Sequence, residues 1–281
     1  MTLHTLDLPA HRTAAHDPAA NRATLRDLAA LLKLDLPPGA VAGSDVDFCI
    51  RRVEEGQSLC RTGEAFRCVY AVRFGFFKTV MSSPEGTEQI VGFPMKGDVI
   101  GLDAMGTAAH GCEAIALEMS EVIAVPFDQV LQLAGRHPAL LPPLLRLFGR
   151  ELARENAVIF KLASMHAEAR VAAFLLELAE RYGALGYSRR EFQLRMKRQE
   201  IGSYLGLKLE TVSRTLSAFD TAKIISVRKK SIVIEDFARL HAVADGHAVC
   251  MPARPCKATA QPTPARYPAW QNYAPMGMAA A

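Results

Sequence analysis

The sequence predicts an α+β chain: an N-terminal double-stranded β-helix (jelly roll), one long helix, and a C-terminal winged helix-turn-helix. Three observations predict it. Short strand-like segments between spaced glycines fill residues 47–130, a sustained heptad runs through 138–163, and a helix, a glycine and a second amphipathic helix follow one another at 198–217. The 281 residues are half hydrophobic and 22% charged, which suits one or two packed domains and not a disordered or fibrous chain.

Residues 1–43 are read as a loose tail with one short helix. The helix is TLRDLAALLKL at 24–34, with apolar residues at helical spacing and Pro37-Pro38-Gly39 as its stop. The first twenty residues lack an apolar h-region, so a secretory signal is not supported. No stretch approaches the roughly 20 apolar residues that span a bilayer. Six scattered cysteines are not a disulfide scaffold. The expectation is a reduced, cytoplasmic protein with no membrane partner.

Residues 44–135 form the predicted roll. Glycines at 56, 63, 75, 86 and 97 separate segments rich in aromatic and β-branched residues, among them 68–72, 76–80 and 89–93. Ser83-Pro84-Glu85-Gly86 reads as the turn of a hairpin between the last two.

Residues 138–163 are helical. Leu145, Leu152 and Ile159 recur every seven residues, and Phe148, Glu155 and Leu162 do so three positions later, an a/d seam that predicts a dimerisation helix. The alternative is that the same stripe packs on the roll of its own chain. Pro142 and Pro143 near its start are compatible with a helix N-terminus. Glu155 stands where the register asks for Leu. In a symmetric dimer it would face its own copy, and two close carboxylates repel unless protonated or paired. Arg154 and Arg146 are the candidate partners, and the repulsion predicts a dimer that an input can control.

Residues 164–246 carry amphipathic helices and then a hairpin over 224–234 with a basic turn. The last segment, 247–281, holds six prolines and is expected to be disordered despite Trp270. Charge is concentrated at 187–230, where eleven basic residues meet four acidic ones. That surplus of seven exceeds the chain's net +4, so the remainder is slightly acidic. Such a block suggests a polyanion partner, although a solvated charged face would look the same on charge alone.

The stretch 198–217, RQEIGSYLGLKLETVSRTLS, carries the functional reading. Ile201, Leu205 and Leu207 are apolar anchors, Gly202 permits close helix contact, and Gly206 sits where the first helix must stop and turn with a positive φ. A second helix opens at Lys208–Thr211 with Val212 and Leu216 pointing inward, which makes a helix-turn-helix whose second helix delivers its first residues to a major groove. Glu210, Ser213 and Arg214 fall on one face at i, i+3 and i+4. Arg forks onto guanine, Glu accepts from cytosine N4, and Ser bonds several edges, so these three are the candidate base readers. A surface ion pair between Glu210 and Arg214 is the competing explanation. Thr211, Arg195, Lys197, Lys208 and Lys229 are candidate contacts to the DNA backbone.

These features together resemble the Crp/Fnr superfamily of bacterial transcription regulators, most of all its FNR-like branch. The resemblance covers roughly residues 47–240, through GDVIGLDAMG at 97–106, HAEARVAAFLLELAERY at 166–182, SRREFQLRMKRQEIGSYLGL at 188–207 and the helix-turn-helix itself. It implies a homodimer on double-stranded DNA, reading TTGAT-type half-sites and their inverted copy through Glu210, Ser213 and Arg214. It implies activation of genes for low-oxygen, nitrogen-oxide or redox metabolism. It also implies contact with RNA polymerase through a surface loop at 96–106, with Lys96, Gly97, Asp98, Asp103 and Gly106 as its residues.

The chain departs from that family in its sensing residues. FNR holds a [4Fe–4S] cluster through cysteines near its N-terminus and one in the roll. Here the first cysteine is Cys49, and the roll position is Ile123. Cys49, Cys60, Cys68 and Cys112 show no tight C-x-x-C spacing, so a cluster is disfavoured. The cyclic-nucleotide branch needs an Arg-Ser pair where this chain has Gly111-Cys112-Glu113-Ala114, so cyclic AMP is disfavoured too, and no cofactor is predicted. His110 is expected to be a solvated loop side chain rather than a haem or metal ligand. Cys112 is a redox thiol only if exposed with a low pKa, Cys68 reads as a small buried hydrophobe, and Cys250 and Cys256 lie in the tail. Regulation by protein abundance needs no ligand. A cyclic-nucleotide or other small-ligand receptor with the same DNA-binding domain is the alternative. A jelly-roll metal oxygenase or isomerase ranks last, since the roll lacks a His-x-His pair; no catalytic or metal residue is predicted.

Overall fold

In a computed structural model of the protein, the described residues are 21–36, 46–83 and 85–248. All elements below belong to the compact unit Met1–Val249. The prolines and glycine at 37–39, Pro84, Cys250, Cys256, Trp270 and the rest of the predicted tail from 249 onward lie outside the described residues.

The roll is two antiparallel sheets packed face to face. The first contains β1 (Arg22–Thr24), β2 (Asp47–Val53), β9 (Ser120–Pro126), β4 (Cys68–Phe74) and β7 (Val99–Ile100) in that order. The second contains β3 (Ser58–Cys60), β8 (Glu113–Ala116), β5 (Phe77–Ser82) and β6 (Glu88–Gly92). Alternation along the central strands explains the layering. On β4, Tyr70 and Val72 point into the core between the sheets, with Val53, Leu59, Phe77 and Val122; Val69 and Ala71 face the other side with Phe48, Ile50, Ile123 and Val125. A strand buried on both faces reads as a continuous apolar run, which is how 68–72 reads in the sequence. The predicted hairpin is β5–β6, with Val80 opposite Ile90 and Ser83 donating to the Thr87 carbonyl at 2.9 Å across the turn.

The roll starts earlier than the predicted boundary at residue 44. β1 pairs with β2, Ala23 opposite Phe48, and Thr24 caps α1 (Leu25–Leu31) in a reciprocal exchange with Asp27. Three residues of strand are too short to show a periodicity, and the cap shifts the helix start. Leu25 and Leu28 of α1 cover the outer face of the first sheet, so this segment is part of the roll and not a loose tail. α2 (Phe127–Arg136), also unanticipated, follows β9 directly.

After a 3-10 turn at Pro138–Leu140 comes α3 (Leu141–Ser164), 24 residues or about 36 Å long. The C-terminal domain comprises α4 (Ala167–Ala184), α5 (Arg198–Leu205), α6 (Leu209–Thr221), α7 (Phe237–Ala244) and a three-stranded sheet. That sheet orders β10 (Glu191–Gln193), β12 (Ser231–Ile234) and β11 (Ile225–Arg228), adding a third strand to the predicted hairpin. Its core is continuous with the outer face of β5–β6: Phe76, Val80, Ile90 and Phe93 pack in one cluster with Phe174, Tyr204, Leu216 and Ile232. No helix among the described residues is long and apolar enough to cross a membrane.

Candidate nucleic-acid interface

The turn between α5 and α6 depends on two glycines. Gly206 adopts φ 63°, ψ 36° and ends α5 in the left-handed region, where a side chain would be strained. Gly202 lies under the turn, and a Cβ there would stand 2.6 Å from the Leu207 carbonyl oxygen. Leu207 N–H donates to the Gly202 carbonyl at 2.8 Å, locking the approach.

α6 is held by its inner face. Val212, Leu216 and Phe219 are fully buried, as predicted for the first two, and Thr215 joins them. The outer face presents Glu210 and Arg214 exposed, with Ser213 and Thr211 half-buried at its edge. Neither Glu210 nor Arg214 has an ion pair among the described residues, so the surface-pair explanation does not hold in this structure. Lys208 is exposed at the N-cap. Leu209, at the first helical position, is also exposed despite being large and apolar, and its place outside the 212/216 stripe is the sequence signal for that exposure. Such a side chain beside the candidate base readers has the chemistry to meet a thymine methyl.

The β11–β12 wing ends in Arg228, Lys229 and Lys230, all exposed, with Lys229 at φ 58°. Of the eleven cations in 187–230, Arg189, Arg190 and Arg195 pair with Glu180, Glu235 and Glu118, and the other eight have no ion pair among the described residues. Unpaired cations at this density attract a polyanion. Arg195 corrects one expectation, because its guanidinium sits 3.2 Å from the Glu118 carboxylate of the roll and is not a free phosphate contact. Lys197 remains exposed at the start of α5.

The seam residues of α3 are largely uncovered, and five of them, Phe148, Leu152, Glu155, Ile159 and Leu162, border the open cavity between α3 and the roll. Leu145, Leu152 and Ile159 are 60–65% exposed, Glu155 is exposed, and Phe148 and Leu162 are half-buried. Leu147 and Val158 pack into the core, whereas the stripe borders the roll across a cavity and stays exposed. Arg154 is not the partner of Glu155: it bonds Asp98 at 3.2 Å and Glu151 at 2.7 Å.

Loop 96–106 is only partly a surface loop. Lys96, Asp103 and Gly106 are exposed, but Met95, Val99, Ile100 and Ala104 are buried, and Gly97 and Asp98 are half-buried. Asp98 is an internal junction. Its carboxylate accepts from the Met95 amide and pairs with both Arg154 of α3 and Arg181 of α4, which ties roll, long helix and C-terminal domain together. A second tie is Lys78 on Glu200 at 2.8 Å, both largely buried. Burial pushes the Glu200 carboxyl up, but the Lys197 amide and the Lys78 ammonium outweigh it and hold the group below the usual range.

No three His, Cys, Asp or Glu side chains converge among the described residues, and burial raises the Cys60 thiol to about 12, the Cys112 thiol to about 11, and Cys68 as well. Iron–sulfur ligation needs thiolates. For a cyclic phosphate, the Asp103 carboxylate occupies the loop instead, accepting from Gly111 and Cys112 N–H at 2.8 and 3.2 Å. The cavity beside it, about 740 Å3 between roll and α3, also has Glu151, Glu155 and Glu177 in its wall. His110 corrects another expectation: it is 3% exposed, packed against Phe66 and Tyr70, and its Nδ1 has no hydrogen-bond partner among the described residues.

Comparison with known proteins agrees with this geometry. The profile of the Crp-like helix-turn-helix domain matches residues 169–243, and that of the cyclic nucleotide-binding domain matches 50–137. The chain is 42% identical over 185 residues to the transcriptional regulatory protein btr of Bordetella pertussis, covering 66% of this chain and 76% of that protein. It is 41% identical over 184 residues to the fumarate and nitrate reduction regulatory protein of Yersinia pestis, covering 66% and 74%. Among solved structures, FixK2 from Bradyrhizobium japonicum superimposes with a TM-score of 0.65 at 29% identity, covering 72% of this chain and 99% of that one.

Proposed function

The chain belongs to the Crp/Fnr superfamily of transcription regulators, and on that premise we propose that it is a homodimeric activator in low-oxygen or redox-linked gene control. The names of its relatives, fumarate and nitrate reduction regulatory protein and anaerobic regulatory protein, support that physiology. One observation carries the DNA reading: Glu210, Ser213 and Arg214 sit at the open start of a helix whose other face is buried, near cations that have no ion pair among the described residues. Arg214 forks onto a guanine, Glu210 accepts from a cytosine amine, and Ser213 bonds a neighbouring edge, while Thr211, Lys197, Lys208 and Lys229 hold phosphates. The exposed stripe of α3 supports a two-fold pairing that presents two such helices to an inverted repeat of TTGAT-type half-sites. Polymerase contact is assigned to the exposed part of loop 96–106, and a cytoplasmic location belongs to the same reading.

Control by a small ligand is the second reading, favoured by the cavity between roll and α3. Its carboxylates oppose an anionic phosphate, so a neutral or cationic compound suits it better. The test is a mobility shift of the full chain on the palindrome against a scrambled duplex, after aerobic and anaerobic purification, with metal and sulfide analysis of both preparations. Preferential binding of the palindrome supports the reading. Equal affinity for both duplexes in both preparations rejects it.

A further inference from the structure

The side of α3 opposite the seam carries its own stripe. Arg150, Arg154, Ala157 and Lys161 include positions two residues, or about 200° of helical rotation, beyond Phe148, Leu152, Glu155 and Ile159. This stripe walls a cleft of about 450 Å3 that a partner helix on the seam would leave open. The other walls are the end of α1, loop 96–98 of the roll, and the end of α4, which contribute Lys33, Lys96 and Arg181. Six cations therefore meet three carboxylates, Asp98, Glu151 and Glu177.

Those carboxylates are all engaged: Asp98 with Arg154 and Arg181, Glu151 with Arg154, and Glu177 with Lys161 at 2.7 Å. Two cations also serve helix ends, Arg150 donating to the Leu32 carbonyl at 3.2 Å and Lys33 to the Ala184 carbonyl at 3.1 Å. A helix C-terminus carries about half a negative charge. Two of them cancel roughly one of the three surplus positive charges, so about two remain. Lys96 is exposed and has neither an ion pair nor a side-chain hydrogen bond among the described residues. Burial also pushes the Glu151 carboxyl above its ordinary range.

We propose that this cleft binds a small, multiply charged phosphate compound, with Lys33, Lys96 and Arg150 as its contacts. A surplus of about two charges calls for a ligand bearing at least two, which a single carboxylate does not supply. Arg150 offers a planar fork for phosphate oxygens, and the two lysines act as point charges. The ligand would bridge α1, the roll, α3 and α4, so its occupancy bears on how firmly the DNA-binding domain is held against the roll.

Titration calorimetry of inorganic pyrophosphate into the full chain tests it at low salt, where exposed charges are least screened. One saturable site per protomer is expected, weakened at least tenfold by Lys33→Gln with Lys96→Gln and unchanged by Lys208→Gln with Lys229→Gln. Thermal melts extend the reading: pyrophosphate should stabilise the parent and the second variant pair, and leave the first pair unshifted. Absence of saturation in the parent, or a loss at least as large with the Lys208 and Lys229 changes, overturns the proposal.

Discussion

The junction around Asp98 and the outer face of α6 use the same residue types in opposite ways. At the junction, two arginines share one carboxylate beneath the surface, and Lys78 and Glu200 do the same nearby. On α6 and the wing, Glu210, Arg214, Lys208 and the 228–230 turn have no ion pair among the described residues. Paired charge there is structure, since separating it strands an ion in low dielectric; charge here that no described residue pairs is available to an outside partner.

The largest effect should come from breaking the junction. Asp98→Ala leaves Arg154 and Arg181 partly buried without their shared anion and should destabilise the protein by about 3–5 kcal/mol, read by urea unfolding. A loss under 1 kcal/mol would mean that Asp98 is a surface residue after all. Next in size, Arg214→Ala should weaken the matched palindrome by about 1–3 kcal/mol and relax choice at the guanine, with unfolding unchanged. Its partner experiment, Lys208→Ala, should weaken matched and scrambled DNA alike and reduce the salt slope by about one. If both variants behave identically on the two duplexes, the division between base readers and backbone contacts fails.

Glu155→Leu should tighten self-association by about tenfold, or about 1.4 kcal/mol, since it replaces a seam carboxylate by an apolar side chain. Unchanged association in ultracentrifugation rejects a controlling role for that carboxylate. The smallest effect concerns the thiols. With the Cys112 thiol raised to about 11, about one molecule in a thousand is thiolate at pH 8. Its alkylation should therefore rise roughly tenfold per pH unit up to that range, followed by peptide mass spectrometry. A plateau near pH 8 would show an activated thiol.

The helix-turn-helix was legible because its constraints are local. Gly206, the 212/216 stripe and the 210/213/214 face lie within twenty residues, and helical geometry alone relates them. The seam was legible for the same reason, as a period along one helix. What escaped the sequence depends on neighbours far along the chain. β1 exists because β2 offers it an edge, Arg195 is held by Glu118, and His110 is enclosed by Phe66 and Tyr70. No spacing rule marks Asp98 as a junction rather than a loop residue, because its partners lie more than fifty positions away.

By itself the sequence determined the order of parts, the glycine-dependent turn before α6, and the face on which its acid, hydroxyl and guanidinium stand. Periodicity and backbone sterics act over a few residues and leave their mark in composition and spacing. Only the tertiary structure decided which cations are spent on carboxylates and which remain for a partner, and where roll, long helix and C-terminal domain join. Electrostatic pairing and burial depend on distances in space, which the linear order does not encode.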